Sequence, residues 1–377
     1  MSEWVEKRFR DFIQLKRGYD LPNDQMVCGE YPVVASTQIK GFHNEYKVIP
    51  PAVITGRSGS LGIVQYTEKK CIPLNTTLYV KDFKENSRKF VYYFLQTMHL
   101  EKYNSGAGVP TLNQNHLHGI KLLLPNNNVQ TRIADILSAY DDAIENNNRR
   151  IALLEKAARE LYREWFVRMR FPGHESVTVM NGLPEGWEVK RLRDFGQIET
   201  GKTPPTENQD NYGDEIMFVK TPDMHGDMFV TLTGEYLSEK GHLSQPKKLL
   251  PANSIMISCI GTGGIVAINA EKAHTNQQIN SIAPKDKRHM EWLYFTCKNL
   301  KETIELFGVT GTTMTNLSKG KFERLKVIQP QQSIIEAFHE KLKDTFVLIK
   351  ILMMQSQNLA RQRDLLLPRL MSGQLEV

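Results

Sequence analysis

A long heptad pattern that occurs twice limits the fold of this chain more than any other feature. From Val129 to Arg168, residues return at alternating steps of four and three: Ile133, Leu137, Tyr140, Ile144, Asn147, Ile151, Leu154, Ala158, Leu161 and Trp165. This is an a/d seam with one polar member, the pattern of a long helix that lies against another long helix. Adding 205 to each number gives a second seam: Phe338, Leu342, Thr345, Ile349, Leu352, Ser356, Leu359, Arg363, Leu366 and Leu370. Pro125 and Pro330 precede the two segments, a placement suited to the start of a helix. At about 1.5 Å per residue, ~38 residues would run for about 57 Å. A rod of that length suits two domains held apart, not one small domain. Asn147, Thr345 and Ser356 either fix the register of paired rods at some cost in stability or are simply wet helix positions.

The rest of the chain is also written twice. Trp4-x-x-Lys7-Arg8-Phe9-Arg10-Asp11-Phe12 returns as Trp187-x-x-Lys190-Arg191-Leu192-Arg193-Asp194-Phe195. Ala52–Thr55, the glycines Gly59 and Gly62, and Ile63-Val64 match Ser254–Ile257, Gly261–Gly264 and Ile265-Val266. The offset between copies grows from 183 to about 202, so the second copy holds about twenty extra residues before its glycine turn. Short β-branched runs around each glycine turn predict hairpins. Arg88–His99 and Met290–Leu306 have helical patterning. Each is followed by a polar glycine loop (105–111; 308–315) and an apolar strand. Phe171–Glu175 through Asn181–Pro184 reads as a linker rich in turn formers.

Composition sets the outer bounds. A chain of 377 residues with 40% hydrophobic residues has material for two or three packed domains. A net charge of +6 suits a polyanionic partner without requiring one. Cys28, Cys71, Cys259 and Cys297 are scattered, with no C-x-x-C pair, so neither a disulfide framework nor a zinc site is expected. The N-terminal segment does not read as a signal peptide, and no apolar run reaches membrane-spanning length. The expectation is a cytoplasmic, metal-free protein with no membrane association.

The order unit, rod, linker, unit, rod resembles the specificity subunit of a type I restriction–modification system. The resemblance covers essentially the whole chain. It is carried by Asn146–Lys156, by Leu183-Pro184-Glu185-Gly186-Trp187 with Lys190-Arg191-Leu192, and by Leu367-Pro368-Arg369-Leu370-Met371-Ser372-Gly373. It implies an α+β protein of two repeated target recognition domains, 1–128 and 183–330. Two long helices, 129–170 and 331–377, would separate them, with a linker at 171–182. The helices would pair as an antiparallel coiled coil about a pseudo-two-fold axis. It further implies a subunit with no catalytic residues and no cofactor of its own, reading the two halves of a split, asymmetric site in double-stranded DNA. Its partners would be methyltransferase subunits, which carry S-adenosylmethionine, and restriction/translocase subunits driven by ATP.

Residues able to read bases can be named from their chemistry. Major-groove edges are distinguished by Arg, Lys, Asn, Gln, Ser and Thr on loops. In the first copy the candidates are Thr55, Arg57, Ser58 and Ser60 at the glycine turn, with Asn75 and Thr76 beside them. In the second they are Ser258, Thr262, His274, Asn276, Gln277 and Gln278, a run dense in amides that suit adenine. The competing reading is a polar turn before a strand. Asn147, Arg149, Arg150, Arg159, Arg163, Gln357 and Arg361 on the rods are candidates for partner contact, against the commoner fate of a solvated helix face.

Enzyme signals are weaker. Gly196–Thr203 fits G-x-x-x-x-G-K-[ST], but Pro204-Pro205 opposes the helix that a phosphate loop needs, and the first copy lacks the pattern. No [NDS]-P-P-[YF] or G-x-G-x-x-G stretch is present. Asp24 with Glu45 is a poor carboxylate cluster, and His116 and His118, placed to share a strand face, have no third ligand in view. The alternative to a DNA reader is a coiled-coil interaction scaffold without DNA specificity.

Overall fold

The computed structural model describes residues 4–308 and 315–377, so most of the second polar loop, 309–314, lies outside the described residues. The chain divides into two compact units, residues 1–145 with 357–377, and residues 146–356. Both boundaries fall inside long helices, Asn127–Tyr162 and Gln332–Met371. The protein has a mixed helix and sheet architecture with two repeated units.

In unit 1, Val5–Arg8 pairs antiparallel with Lys121–Leu124, Arg8 opposite Lys121. The Trp-x-x-Lys-Arg segment therefore closes the unit against the strand that leads into the long helix. The main sheet has the order Gln14–Arg17, Thr77–Asp82, Ala52–Gly56, Val64–Thr67, and the glycine turn is a hairpin with Thr55 opposite Val64. A smaller sheet holds Ile39–His43, Tyr31–Val34 and Ile72–Pro73, the last pair parallel. Helix Arg88–Thr97 is capped by Ser87, whose Oγ accepts from the Phe90 N–H, and it buries Phe90 and Phe94 against Phe12.

Unit 2 repeats this plan. Glu188–Arg191 pairs with Lys326–Gln329. The main sheet runs Gly196–Thr200, Ile279–Pro284, Ile255–Ser258, Val266–Asn269, with Phe229–Val230 added parallel at its edge. The smaller sheet again contains a parallel pair, Ile216–Val219 with Ala273–Thr275. The additional length of the second copy falls in 220–254, which supplies the added edge strand and helix Glu239–Leu243. The expected single helix over Met290–Leu306 is two, Met290–Asn299 and Lys301–Gly308, interrupted at Leu300.

Each unit is completed by parts of both long helices. In unit 2, Phe338 lies 6.2 Å from Tyr162, 5.6 Å from Trp165 and 4.9 Å from Phe166 between ring centroids, and Asn147 donates to the Gln355 side chain at 3.2 Å. The α-helix ends at Tyr162, and Arg163–Val167 forms a π turn. In a regular helix the adjacent Trp165 and Phe166 would point about 100° apart; the wider turn lets both pack on one ring. In unit 1, Ile133 and Leu137 share a core with Leu366, Leu370 and Met371. The helix carries Pro368 inside it and runs to Met371, short of the expected 377, because the buried Leu370 and Met371 hold its last turn.

The seam's charged member also has a partner in unit 1. The Arg363 guanidinium pairs with the Asp141 carboxylate, which accepts the Tyr93 hydroxyl at 2.5 Å. Burial works against the Arg363 charge, and the Asp141 and Asp364 carboxylates more than offset it, so its pKa is raised. Replacing Asp141 with Ala leaves the Tyr93 hydroxyl unpaired and should destabilise unit 1 by about 1–3 kcal/mol. A double-mutant cycle with Arg363→Ala, followed by urea unfolding, should give a coupling of about 1 kcal/mol; zero coupling would show the pair to be inert.

The repeated tryptophans close the ends of the helices. Gly373, at φ +73°, sits against Trp4, where a Cβ would come within 2.9 Å of the indole. Trp187 packs 6.2 Å from Phe166 and 5.4 Å from Phe171. Cys28 is exposed and the other three cysteines are buried and unbridged. Burial pushes the Cys71 and Cys259 thiols up to about 11, so they serve as small core residues. Among the described residues no helix is long and apolar enough to cross a membrane.

Candidate nucleic-acid interface

Sequence-distant polar residues meet at the glycine turn of each unit. In unit 1 the Thr76 carbonyl accepts from the Arg57 N–H at 2.8 Å, the Ser58 N–H at 3.1 Å and the Ser36 hydroxyl at 2.8 Å. This fastens the turn to the start of the neighbouring strand and leaves Arg57, Ser58, Asn75 and Thr76 half-buried and Ser60 exposed. The Asn75 amide donates to the Asp20 carboxylate, which Arg17 also reaches at 3.3 Å. The first polar loop docks on the same turn, with Gly59 N–H on the Pro110 carbonyl and Leu112 N–H on the Arg57 carbonyl. Asn104 takes the Gly106 and Thr111 N–H groups on its side-chain oxygen, which holds the loop closed. Between them lies a cleft of about 280 Å³ lined by Arg17, Arg57, Ser105 and Asn113–Asn115. It offers two guanidinium groups, amides and backbone, the mixture that reads base edges and phosphates.

Unit 2 builds the same place from different side chains. Gly261 and Gly264 turn at φ +81° and +79°. Ile260–Gly261 pairs with Thr315–Asn316, as Ser58 bridges Thr111 in unit 1. Gln277 is exposed and accepts from the Thr203 hydroxyl at 2.7 Å. Gln278 is half-buried, with Asn276 at 3.1 Å and Thr221 at 3.3 Å on its side-chain oxygen. Thr262 and Lys202 are exposed at this end of the sheet, and Lys202 forms no ion pair among the described residues.

Four candidates require correction. Thr55, Ser258 and His274 are fully buried and so unavailable to a base edge. The Ser258 hydroxyl donates to the Thr262 carbonyl at 2.7 Å and accepts from the Ile265 N–H at 2.9 Å, locking the glycine turn. Asn276 is buried as well, and its amide orders Gln278. His274 lies in a parallel strand pair with its Nε2 3.0 Å from His242 Nδ1. Burial, helped by His242, lowers its pKa to about 4, so it is neutral at physiological pH. Because the unfolded imidazole takes a proton near 6.5, the unfolded state binds more protons between about pH 6.5 and 4. The stability of unit 2 should therefore fall through that window by up to roughly 3 kcal/mol. Thermal melts of His274→Asn across this range should show a flatter pH dependence; an unchanged slope would assign the effect elsewhere.

The phosphate-loop resemblance dissolves in the structure. Gly196–Thr200 is a strand paired with Ile279–Pro284, and Gly201 is glycine because a Cβ would meet the Asn276 and Thr275 carbonyl oxygens at 2.2 Å. Gly18, its counterpart in unit 1, is fixed in the same way by the Leu74 carbonyl at 2.2 Å. Comparison of Gln14–Tyr19 with Gly196–Thr203 was thus the signal, within the sequence, for Arg17, Lys202 and Thr203 as site residues. The loop residues Ser105 and Asn113–Asn115 carried no such signal. His116 and His118 sit on a short helix, Gln114–His118, not on a strand, and no metal-holding cluster of three His, Cys, Asp or Glu occurs among the described residues.

On the helices, Asn147 is buried and bonded to Gln355, Arg163 pairs with Glu160, and Gln357 is half-buried. Arg149, Arg150, Arg159 and Arg361 are exposed.

Comparison with known proteins gives a consistent result. The family model described as the type I restriction modification DNA specificity domain matches residues 1–156 and 184–351. The chain is 31% identical over 327 residues to the HindI specificity subunit of Haemophilus influenzae, covering 71% of each. It is 28% identical over 303 residues to the MjaIX specificity subunit of Methanocaldococcus jannaschii, covering 77% of this chain and 69% of that one. Among solved structures, the S subunit of a type I restriction–modification system from M. genitalium superposes with a TM-score of 0.67 at 17% identity, covering 98% and 96% of the two chains. That likeness is one of fold.

Proposed function

This chain belongs to the type I restriction–modification DNA specificity family, and from that premise we propose that it is the non-catalytic subunit that reads a bipartite, asymmetric site in double-stranded DNA. One observation carries the reading: two units of the same topology present unlike side chains at the same glycine turn. Unit 1 offers Arg17, Arg57, Ser58, Ser60, Asn75 and Thr76. Unit 2 offers Lys202, Thr203, Thr262, Gln277 and Gln278. Arginine suits the two acceptors of guanine, and a glutamine amide suits the donor and acceptor of adenine.

The heads occupy 1–128 and 183–330, joined by the linker 171–182. The helices over 129–170 and 331–377 pair as an antiparallel coiled coil about a pseudo-two-fold axis. This reading is supported by the two heptad seams, by contacts that run in opposite sense from Asn147 with Gln355 to Trp165 with Phe338, and by a repeated tryptophan at each helix end. The exposed faces carrying Arg149, Arg150, Arg159, Arg163 and Arg361, with Gln357, dock the methyltransferase subunits and through them the restriction subunits. The chain itself needs no cofactor and works in the cytoplasm.

Arg57→Ala and Gln278→Ala, each assembled with the methyltransferase, test the assignment. Each should cost about 1–3 kcal/mol of discrimination, roughly 5- to 150-fold, at one half-site only and in different halves. Equal weakening on all sequences would make these residues phosphate contacts instead.

A further inference from the structure

The inserted strand of unit 2 fills a place that unit 1 leaves open. Phe229–Val230 lies parallel to Val266–Asn269, whose Ile268 and Ala270 N–H groups donate to the Met228 and Val230 carbonyls at 2.9 and 3.0 Å. The Phe229 ring rests 6.2 Å from that of Phe346 on the second long helix. With this strand in place, Val266–Asn269 is buried throughout. Its counterpart in unit 1, Val64–Thr67, ends the main sheet with no strand beyond it among the described residues, and all four residues are only half-buried. Tyr66 and Glu68 stand where Ile268 and Ala270 stand, in the same pairing register, so their N–H groups face the open side.

A cleft of about 600 Å³ opens along this edge. One wall holds Tyr66 and Tyr92, and another holds Ile39 and Phe42, which are 52% and 48% exposed. The third is the first long helix with Asp141, Asp142 and Glu145, which match Phe346, Val347 and Lys350 at the offset of 205. Both supports of Phe229 therefore recur in unit 1, with carboxylates where unit 2 has an aromatic and an aliphatic side chain. Arg363 engages Asp141, whereas Asp142 is exposed and forms no ion pair among the described residues. An unpaired sheet edge is a template for a strand from another chain, and pockets beside the edge select its side chains. We propose that unit 1 takes up an extended segment of a partner protein here, parallel to Val64–Thr67. A lysine or arginine of that segment sits toward Asp142, in the place that Phe229 fills in unit 2. Its backbone satisfies the Tyr66 and Glu68 N–H groups, and its apolar residues cover Ile39 and Phe42.

The test uses the full chain and three fluorescein-labelled peptides, followed by anisotropy at physiological salt. The first peptide copies residues 226–232 of this chain, Gly-Asp-Met-Phe-Val-Thr-Leu; the second carries Phe229→Lys; the third adds a methyl group on the Val230 nitrogen of the second. The lysine peptide should bind saturably and roughly fivefold tighter than the first, the upper range for an exposed ion pair. N-methylation should weaken it roughly tenfold, because the Val230 N–H lies on the same side of the backbone as the carbonyl that meets the strand. Asp142→Lys in the chain, a surface change that should leave its melting temperature unchanged, should abolish the preference for the lysine peptide. No saturable binding, binding indifferent to N-methylation, or a preference unaltered by Asp142→Lys would overturn the proposal. So would a chain that sediments as a dimer until Asp142→Lys separates it, since the groove would then belong to a second copy.

Discussion

Phe338→Ala should destabilise unit 2 by about 3–5 kcal/mol, the range for emptying an aromatic site in a packed core. The ring is fully buried and is touched by Tyr162, Trp165 and Phe166 of the first long helix. Its removal leaves three aromatic side chains facing a void, and the π turn at Arg163–Val167 holds two of them in place so that the hole cannot easily collapse. Phe338→Leu keeps much of the volume and should cost less than half as much. The chain has four tryptophans, and Trp165, Trp187 and Trp292 belong to unit 2. Fluorescence-detected urea unfolding therefore follows mainly the unit that carries the mutation. A loss below 1 kcal/mol would mean that this aromatic cluster does not fasten the two helices within the unit.

The second large effect concerns distance. If paired helices set the separation of the reading heads, adding one heptad to each lengthens the rod by about 10.5 Å, close to three base-pair steps of 3.4 Å. The insertions belong beside Glu145 and beside Ser356, where the chain passes from one unit to the other. The original site should lose modification, and a site with the same half-sequences and a spacer about three base pairs longer should gain it. Three base pairs also turn the duplex by about a third of a helical turn, so three heptads, about 31 Å, form a useful second variant. That length approaches one full turn of 34–36 Å and keeps both heads on the same side of the DNA. Lengthening one helix alone forces the seam to slip within one unit, parting either Asn147 from Gln355 or Arg363 from Asp141, and should abolish modification at every spacing. An unchanged spacer after both insertions would remove the ruler.

Much of this was legible in the sequence because duplication gives every feature a control. The heptad seams placed the starts of the long helices to within two residues, since a helix of 36 or 40 residues leaves an unmistakable period, but the α-helices end at Tyr162 and Met371, short of 170 and 377. The glycine turns fell where β-branched runs flanked them. The ends were less clear: burial of Leu370 and Met371 carries a helix through Pro368, and packing of Trp165 and Phe166 on one ring widens a turn. Both are tertiary effects that local preference does not contain. The site was only partly legible for a related reason. Thr55, Ser258 and His274 have the chemistry of base readers, but their places in the paired strands turn them inward. Ser105 and Asn113–Asn115 join the cleft only because the first polar loop folds back onto Arg57 and Gly59. Which loop reaches which turn is a matter of topology, and no spacing along the chain encodes it.

The central claim is that two unlike heads on one chain read two separated half-sites. Its most direct test is to sequence the modified bases in genomic DNA exposed to this chain assembled with its methyltransferase. The account predicts two different short half-sequences separated by a spacer of fixed length and unrestricted sequence, with Arg57→Ala relaxing one half and Gln278→Ala the other. Modification at a single uninterrupted site, or relaxation of the same half by both substitutions, would contradict it.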